Sequence, residues 1–381
     1  RIVTLPRNLR RAVVEVYANG QINDEFWYTN PPNEYLELLN QTGAGNGAYR
    51  EVLVYINDLL VGATATYPVI FSGGLLPTFW RPVLGIGALN IPSYFIDVTP
   101  FVGQLVNGKP HDIVLQVTDA NYFWLIDANL HLWVDHGSNQ TVGALTKYDV
   151  DLDANIERRG RIATNLDANF TTTARRSTVV GGWVRTSTHE VRSTVHRAIR
   201  FKNRQQFTNE SNYESWTQQI TQSTTIITSS QRLGRSTHPA GSPQNVLNSP
   251  RPRELRIQAV TEEWPFSGAN SYTATADGGF LLEARLDQSL KRQVVDQHRG
   301  RVVFASDLNQ RQVGEGSFGR TGADEQFGGP TTLKTRLKYV DSTRRCYSRG
   351  VDVNETKVIW DDVSEECHGI GGNRRLFGYL S

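Results

Sequence analysis

Two acids and three rings stand side by side in Asp24-Glu25-Phe26-Trp27-Tyr28, followed by Thr29-Asn30-Pro31-Pro32. Aromatic faces stack on the C–H surfaces of sugar rings while acids and amides bind hydroxyls, so this composition fits a carbohydrate cleft. A partly buried aromatic loop closing the end of a sandwich reads from the same pentapeptide equally well. The prolines bias the segment to extended or turn geometry. Adjacent residues on an extended segment point opposite ways, so Asp24 and Glu25 are not expected to reach one water together. Tyr49-Arg50-Glu51 then enters a strand with Arg50 and Glu51 on opposite faces. One of these charges must face inward or lie at the strand's end, where it is either paired structurally or functional. Further aromatic and basic candidates are Phe79-Trp80-Arg81-Pro82, Tyr122-Phe123-Trp124 and the polar face Asn129, His131, Trp133. Taken singly, each Trp reads more readily as core than as ligand. Period 2 places His131 and Asp135 on one face with His136 beside them, which is half a metal site; with no third ligand visible, a hydrogen-bonded strand face or turn is favoured and no metal is expected.

Other chemistries lose support because their motifs are missing. There is no H-E-x-x-H, C-x-x-C, G-x-S-x-G or G-x-x-x-x-G-K-[ST], and no G-x-G-x-x-G after a strand. No cofactor is expected.

The elements that must position these residues read as strands. Val52, Val54 and Ile56 alternate against Glu51, Leu53 and Tyr55; Ile113, Leu115 and Val117, then Leu130, Leu132 and Val134, repeat the pattern. Gly and Pro clusters punctuate them, and two short helical turns are expected at Asn33–Leu39 and Thr99–Leu105, the second with Thr99 as N-cap and Pro100 at the first helical position. The class is all-β, with many short strands that suggest sandwiches or jelly rolls. Later strands are expected at Leu255–Val260, Phe280–Leu286, Val294–Phe304, Lys334–Val340 and Val351–Trp360. Residues 1–150 hold 8 Lys/Arg against 13 Asp/Glu, whereas 151–381 hold 32 against 25, so the charge balance swings from −5 to +7. That asymmetry suggests two units, 1–150 and 151–381, with a Pro-rich loop near 235–253 in the second.

The 381 residues carry 40 Lys/Arg and 38 Asp/Glu, with 8 Trp, 14 Tyr and 15 Phe, too balanced and too aromatic for a disordered chain or a polybasic nucleic-acid binder. No apolar run approaches the roughly 20 residues of a membrane helix. Arg at position 1 and the absence of Met read as the mature product of a processed precursor. Pro-free sequons at Asn40, Asn139, Asn169, Asn209 and Asn354 point the same way, to a secreted or vacuolar protein. Cys346 and Cys367 form the one intrachain bridge the composition allows; its loop of about 20 residues would contribute on the order of 3 kcal/mol on closing.

At this point a family resemblance is visible. The string Asn23-Asp24-Glu25-Phe26-Trp27-Tyr28-Thr29-Asn30-Pro31-Pro32 is followed by Arg50-Glu51-Val52-Leu53-Val54-Tyr55-Ile56, Pro68-Val69-Ile70-Phe71-Ser72-Gly73-Gly74 and Phe79-Trp80-Arg81-Pro82-Val83. With Tyr94–Phe101 and Ala128–Trp133, it closely resembles the plant and fungal A-type peptide N-glycosidases over residues 10–150, and more loosely beyond. A fainter likeness reaches the bacterial F-type enzyme, which has two jelly-roll domains. There Asp24-Glu25-Phe26-Trp27 resembles an acid-plus-Trp element and Arg50 the arginine that leads a strand, although Tyr49 stands where an acid is expected. Ile96-Asp97-Val98-Thr99 resembles a turn-forming element, and Thr118-Asp119 a Thr–acid pair lining the same cleft.

The resemblance implies two packed jelly-roll-like domains and hydrolysis of the amide between an asparagine side chain and the first N-acetylglucosamine of an N-glycan. A glycopeptide or glycoprotein is the implied partner. Two carboxyls whose pKa values are pushed apart can act as base and acid without metal. Glu25 with Glu51 are the first choice, with Asp24 in reserve and Asp119 a weaker candidate. Arg50 or Arg81 would stabilise the oxyanion, and Trp27, Trp80 and Trp124 would stack the glycan core. A-type relatives can be two-chain, with cleavage falling at Arg158–Arg161 or in the Pro-rich loop. A non-catalytic lectin or adhesin on the same sandwich is the alternative.

Overall fold

The computed structural model describes residues 2–233 and 253–366. The Pro-rich stretch up to Pro252 and Cys367, with its bridge to Cys346, lie outside the described residues.

The first unit contains β1 (Ile2–Val3), β2 (Leu9–Gln21), β3 (Glu51–Ile56), β4 (Leu59–Ala65), β5 (Tyr94–Asp97), β6 (His111–Val117) and β7 (Phe123–Val134). They form a four-stranded sheet in the order β1-β6-β3-β4 and a three-stranded sheet in the order β5-β2-β7. Helix α1 (Asn33–Leu38) falls where it is expected. The second turn begins as a 3-10 segment over Thr99–Phe101 and runs into α2 (Val102–Leu105). Thr99 is not its cap, because its hydroxyl is drawn to the Ala12 carbonyl, 3.4 Å away, and the cap position falls on Val98. Asp97 is the turn former, its Oδ1 accepting the Thr99 amide at 3.0 Å.

The second unit is β8 (Val142–Val150), β9 (Asn155–Ile162), β10 (Ala168–Arg185), β11 (His189–Thr208), β12 (Tyr213–Arg232) and β13 (Glu254–Ala274), continuing through β14 (Phe280–His298), β15 (Arg301–Arg320), β16 (Gln326–Asp341), β17 (Cys346–Asn354) and β18 (Lys357–Ser364). All eleven join one antiparallel sheet in sequential order, β8 and β9 both pairing with β10. The chain from Val142 onward therefore builds one broad sheet rather than a second two-sheet sandwich. A lone sheet suffices because the first unit supplies the layer that covers its inward face. On β11, Val195, Arg197, Ile199, Phe201, Asn203, Gln205 and Phe207 point inward and are buried, whereas His196, Arg200, Lys202, Arg204 and Gln206 point outward and are exposed. Sheet membership changes at Val142, ahead of the charge shift near 150, since β8 pairs with β10 from Val142↔Arg185 onward.

One continuous apolar core joins the two units, running from Val14, Val54 and Phe101 to Ile199, Ile220, Trp264 and Leu286. Two expected strands are each split by a hairpin. Val294–Phe304 breaks at Arg299-Gly300, whose φ values of +51° and +73° are those of a tight two-residue turn, and Val351–Trp360 breaks at Glu355, φ +55°. No helix among the described residues is long and apolar enough to cross a membrane.

Candidate active site at the seam of the two units

The acid loop leaves β2 through a 3-10 turn, Ile22–Asp24, so Asp24 and Glu25 part by turning rather than by lying on an extended segment. Gly20 lets the loop fold back this closely: a Cβ there would meet the Asp24 carbonyl oxygen at 2.2 Å. Asp24 is fully buried. Its oxygens accept Nε and Nη2 of Arg50 at 3.0 and 2.7 Å, Trp124 Nε1 at 2.6 Å, Asn30 Nδ2 at 3.0 Å, and the Asn121 amide and Nδ2 at 2.9 and 2.8 Å. Burial works against the charge, but the Arg50 guanidinium and the Trp124 and Asn121 donors outweigh it and hold the carboxyl below its usual range. Arg50 spends its remaining donors on the carbonyls of Gly47, Tyr49 and Gly45. With its oxygens occupied and sealed, Asp24 anchors the loop rather than taking a proton from water. Arg50 likewise has nothing left for an oxyanion.

Arg50 and Glu51 do point opposite ways, yet both are fully buried. The strand they open lies between the first unit's core and the large sheet, so neither face meets solvent. Glu51 crosses the seam to Arg176 on β10, accepting Nε at 2.9 Å and Nη2 at 2.8 Å, and Thr118 Oγ1 donates to it at 3.2 Å. Asp119 pairs with Arg158 of β9. These pairs stitch the units together, and Glu51 is committed to one of them rather than standing open beside Glu25.

Glu25 differs from its neighbours. It is half-buried; its backbone amide donates to the Ile22 carbonyl at 3.1 Å, but its carboxyl has no hydrogen-bond or ion-pair partner among the described residues. Three residues on, Tyr28 drives into the inward face of the large sheet, its ring 4.8 Å from Phe266 and 6.1 Å from Trp216 between centroids. Asn203 Nδ2 donates to the Tyr28 carbonyl at 2.9 Å, and Gln205 Nε2 to the carbonyls of Thr29 and Asn30 at 2.6 and 3.2 Å. Glu214, Trp216 and Gln218 project from β12 on this same face, opposite Asn270, Gly268 and Phe266 of β13.

Glu214 is the residue that sequence reasoning missed. The residue as a whole is half-buried, but its Oε1 is sealed from solvent without a hydrogen-bond partner. Burial pushes its carboxyl up to about 8, offset only in part by the hydrogen bond from Asn270. The charges of Glu25 and Glu214 both act on the Tyr28 hydroxyl, itself pushed far above its usual value by burial first and by these two carboxyls second. Tyr28 Oη, Trp216 Nε1 and Gln218 Nε2 are also buried without partners, so polar groups that usually demand a hydrogen bond gather here. The faint available signal was the period-2 run Glu214, Trp216, Gln218, which puts an acid, an indole and an amide on the apolar face of a strand.

The remaining sequence candidates are dispersed. Trp27 and Trp80 are each 3% exposed and serve the core, Trp80 Nε1 donating to the Gly74 carbonyl at 2.7 Å. Trp124 is 9% exposed and is tied to Asp24. Arg81 is exposed. His131 lies on the outer face of β7, its Nε2 2.8 Å from Glu15. Asp135 turns away past the strand's end to the amide and hydroxyl of Ser187 and the hydroxyl of Ser138, so the two never form a shared site. No group of three metal-ligating side chains occurs among the described residues. All five sequon asparagines are exposed.

The seam of this all-β frame thus brings together a half-buried carboxyl, Glu25, and a carboxyl that burial pushes up to about 8, Glu214. Residues 1–151 match the family model described as Peptide N-acetyl-beta-D-glucosaminyl asparaginase amidase A. A Peptide-N4-(N-acetyl-beta-glucosaminyl)asparagine amidase A from Prunus dulcis is 28% identical over 372 residues, covering 96% of this chain and 59% of the relative. The chain thus spans less than two thirds of that relative's length. No solved structure matches. These matches bear out the resemblance read from residues 10–150: the chain is similar to the A-type peptide N-glycosidases.

Proposed function

We propose that the chain is a glycoamidase acting on N-glycosylated peptides or proteins, with Glu25 as general base and Glu214 as general acid. Water adds to the asparagine side-chain carbonyl as Glu25 takes one of its protons. Glu214 gives its proton to the amide nitrogen as the C–N bond breaks, leaving aspartate and a glycosylamine that sheds ammonia in solution. The nitrogen of an amide leaves poorly unless protonated, so an acid still carrying its proton at neutral pH is what this reaction needs. The observation that carries the reading is Glu214, whose carboxyl burial pushes up to about 8 beside the acid loop. Trp216 Nε1 and Gln218 Nε2, N–H donors without acceptors on the same strand face, are suited to the developing oxyanion. Asp24 and Arg50 are positioning residues that fix the loop. The exposed sequons support a secretory-pathway location, and Arg158–Arg161, on β9, stays an alternative to the Pro-rich loop for processing to two chains.

The test is a glycopeptide assay read by mass, following release of the whole glycan and conversion of Asn to Asp. Wild-type protein should give both; Glu214→Gln and Glu25→Gln should each lower kcat by about 100-fold or more with unchanged circular dichroism. Binding without release would make the chain a lectin. A product retaining one N-acetylglucosamine on Asn would make it a glycosidase.

A further inference from the structure

The large sheet has an outward face that the proposed reaction does not use, and on β10 and β11 several of its cations stand without an ion-pair partner among the described residues. On β10 and β11 the register sets Arg175 directly opposite Arg200, with Lys202 and Arg204 next along the same face. All four are exposed, and none has an ion-pair partner among the described residues. Like charges directly across a strand pair destabilise a sheet, so this arrangement costs stability unless an anion meets it.

The same face is hollowed beside these cations. A depression of about 600 Å³ runs over β12 and β13, bounded by Lys202 and Arg204 on one side and by Lys291 and Arg311 on the other. Its floor carries the hydroxyl and amide side chains of Thr217, Gln219 and Ser267 beside Pro265, with Ser289 only 5% exposed at the bottom. In register, Arg204, Thr217, Ser267 and Asp287 follow one another across four strands, so the Lys202–Arg204 wall stands about 14 Å from β14, which carries Lys291, and about 19 Å from β15, which carries Arg311. Arg311 is held by Asp287 through two hydrogen bonds of 2.8 and 2.6 Å, leaving Lys202, Arg204 and Lys291 as the free charges.

From this charge complementarity we infer that the outward trough of β10–β15 binds an acidic oligosaccharide, one carrying carboxylate or sulfate groups on its sugars. Cationic walls take the acidic groups, and the floor offers donors and acceptors for ring hydroxyls. A single-stranded nucleic acid fits less well, because it relies on exposed aromatic platforms for its bases, and the one ring among the lining residues, Phe266, is 2% exposed and packs inward on Tyr28 and Trp216. An acidic peptide would seek a strand edge for its backbone, and the trough is a sheet face.

The experiment is a titration of the whole chain, by calorimetry at low and high salt, with an oligogalacturonate and with a heparin-derived oligosaccharide of similar length. A neutral chito-oligosaccharide, an oligoglutamate of matching charge and a single-stranded RNA serve as comparators. Either acidic sugar should bind and weaken by about tenfold between 50 and 300 mM salt, and the preferred one identifies the acidic group. The variant Arg200→Ala/Lys202→Ala/Arg204→Ala, all exposed positions, should weaken binding by a similar factor with an unchanged melting temperature and unchanged glycopeptide hydrolysis. Absence of binding by both acidic sugars, equal binding of the oligoglutamate or the RNA, or binding that the triple variant leaves intact would each overturn the inference. Since hydrolysis is followed separately, failure of the trough and failure of the glycoamidase reading are distinguishable.

Discussion

Glu214 carries its proton where an ordinary carboxyl would have lost it, and that sets a cost as well as a role. In the unfolded chain the group ionises near 4.5, while in the fold it does so at about 8. Below 4.5 both states hold the proton and the shift has no effect. Between the two values the unfolded state releases its proton and the folded state does not, so stability falls as pH rises, by at most about 1.4 kcal/mol per unit. Glu214→Gln removes the proton from both states. Urea unfolding should therefore find the variant gaining on the wild type from pH 5 to pH 8, while the alkaline limb of kcat/KM attributable to Glu214 disappears with the activity. A stability difference that stays constant with pH would mean that burial is not what holds this proton. Asp24 shows the opposite balance, since Arg50 and four further donors more than repay its burial. At this scale the sequence announced the acids of the first unit but placed Glu51 beside Glu25, where the fold commits it to Arg176. Asp24, Glu25 and Glu51 look equivalent as letters. Which of them is sealed depends on Arg176, Asn121 and Trp124, which lie 97 to 125 residues away from their partners.

The elements were more legible than the partnerships among them. Period 2 located β3, β6 and β7, and the Pro100 signal located the turn leading to α2, because these depend on local sterics and on one buried face. Hairpins at Arg299-Gly300 and Glu355 were missed because apolar residues resume on both sides of short polar runs, Asp296–Arg301 and Asn354–Lys357, inside which a left-handed backbone turns the chain. The contact between β3 and β10 was illegible for another reason: a charged residue at a strand's start has no sequence label for its partner. Glu51 and Arg176 are each 2% exposed or less. Removing one partner leaves the other buried and unpaired, at a cost of about 3–5 kcal/mol, whereas replacing both with apolar groups costs far less. Glu51→Leu and Arg176→Leu should each destabilise strongly, and the double variant should recover most of the loss in urea titrations. Glycopeptide hydrolysis by the double variant tests the role of Glu51 directly. Retained activity would assign it to the seam, and activity lost at recovered stability would return it to catalysis.

At the scale of the whole molecule, the charge swing near residue 150 suggests two units, and the register does separate the small sheets from the large one. What composition cannot register is that the units share their core. The inward face of β11–β14 places Phe201, Trp216, Trp264 and Leu286 against the first unit, and at about 1.5–3 kcal/mol for each large apolar side chain buried neither partner can keep this surface wet and stay folded. The Tyr28 wedge adds to the same seam: Asn203 and Gln205 hold its backbone while its ring sits between Trp216 and Phe266. The two units should therefore unfold together. Calorimetry of the full chain should give one transition with matching calorimetric and van't Hoff enthalpies, and a fragment of residues 1–141 should lack a cooperative transition and bind a hydrophobic dye. Two resolved transitions, or a fragment that melts sharply on its own, would show that the seam is a docking surface between independent domains, and Glu25 and Glu214 would then be brought together only by domain closure.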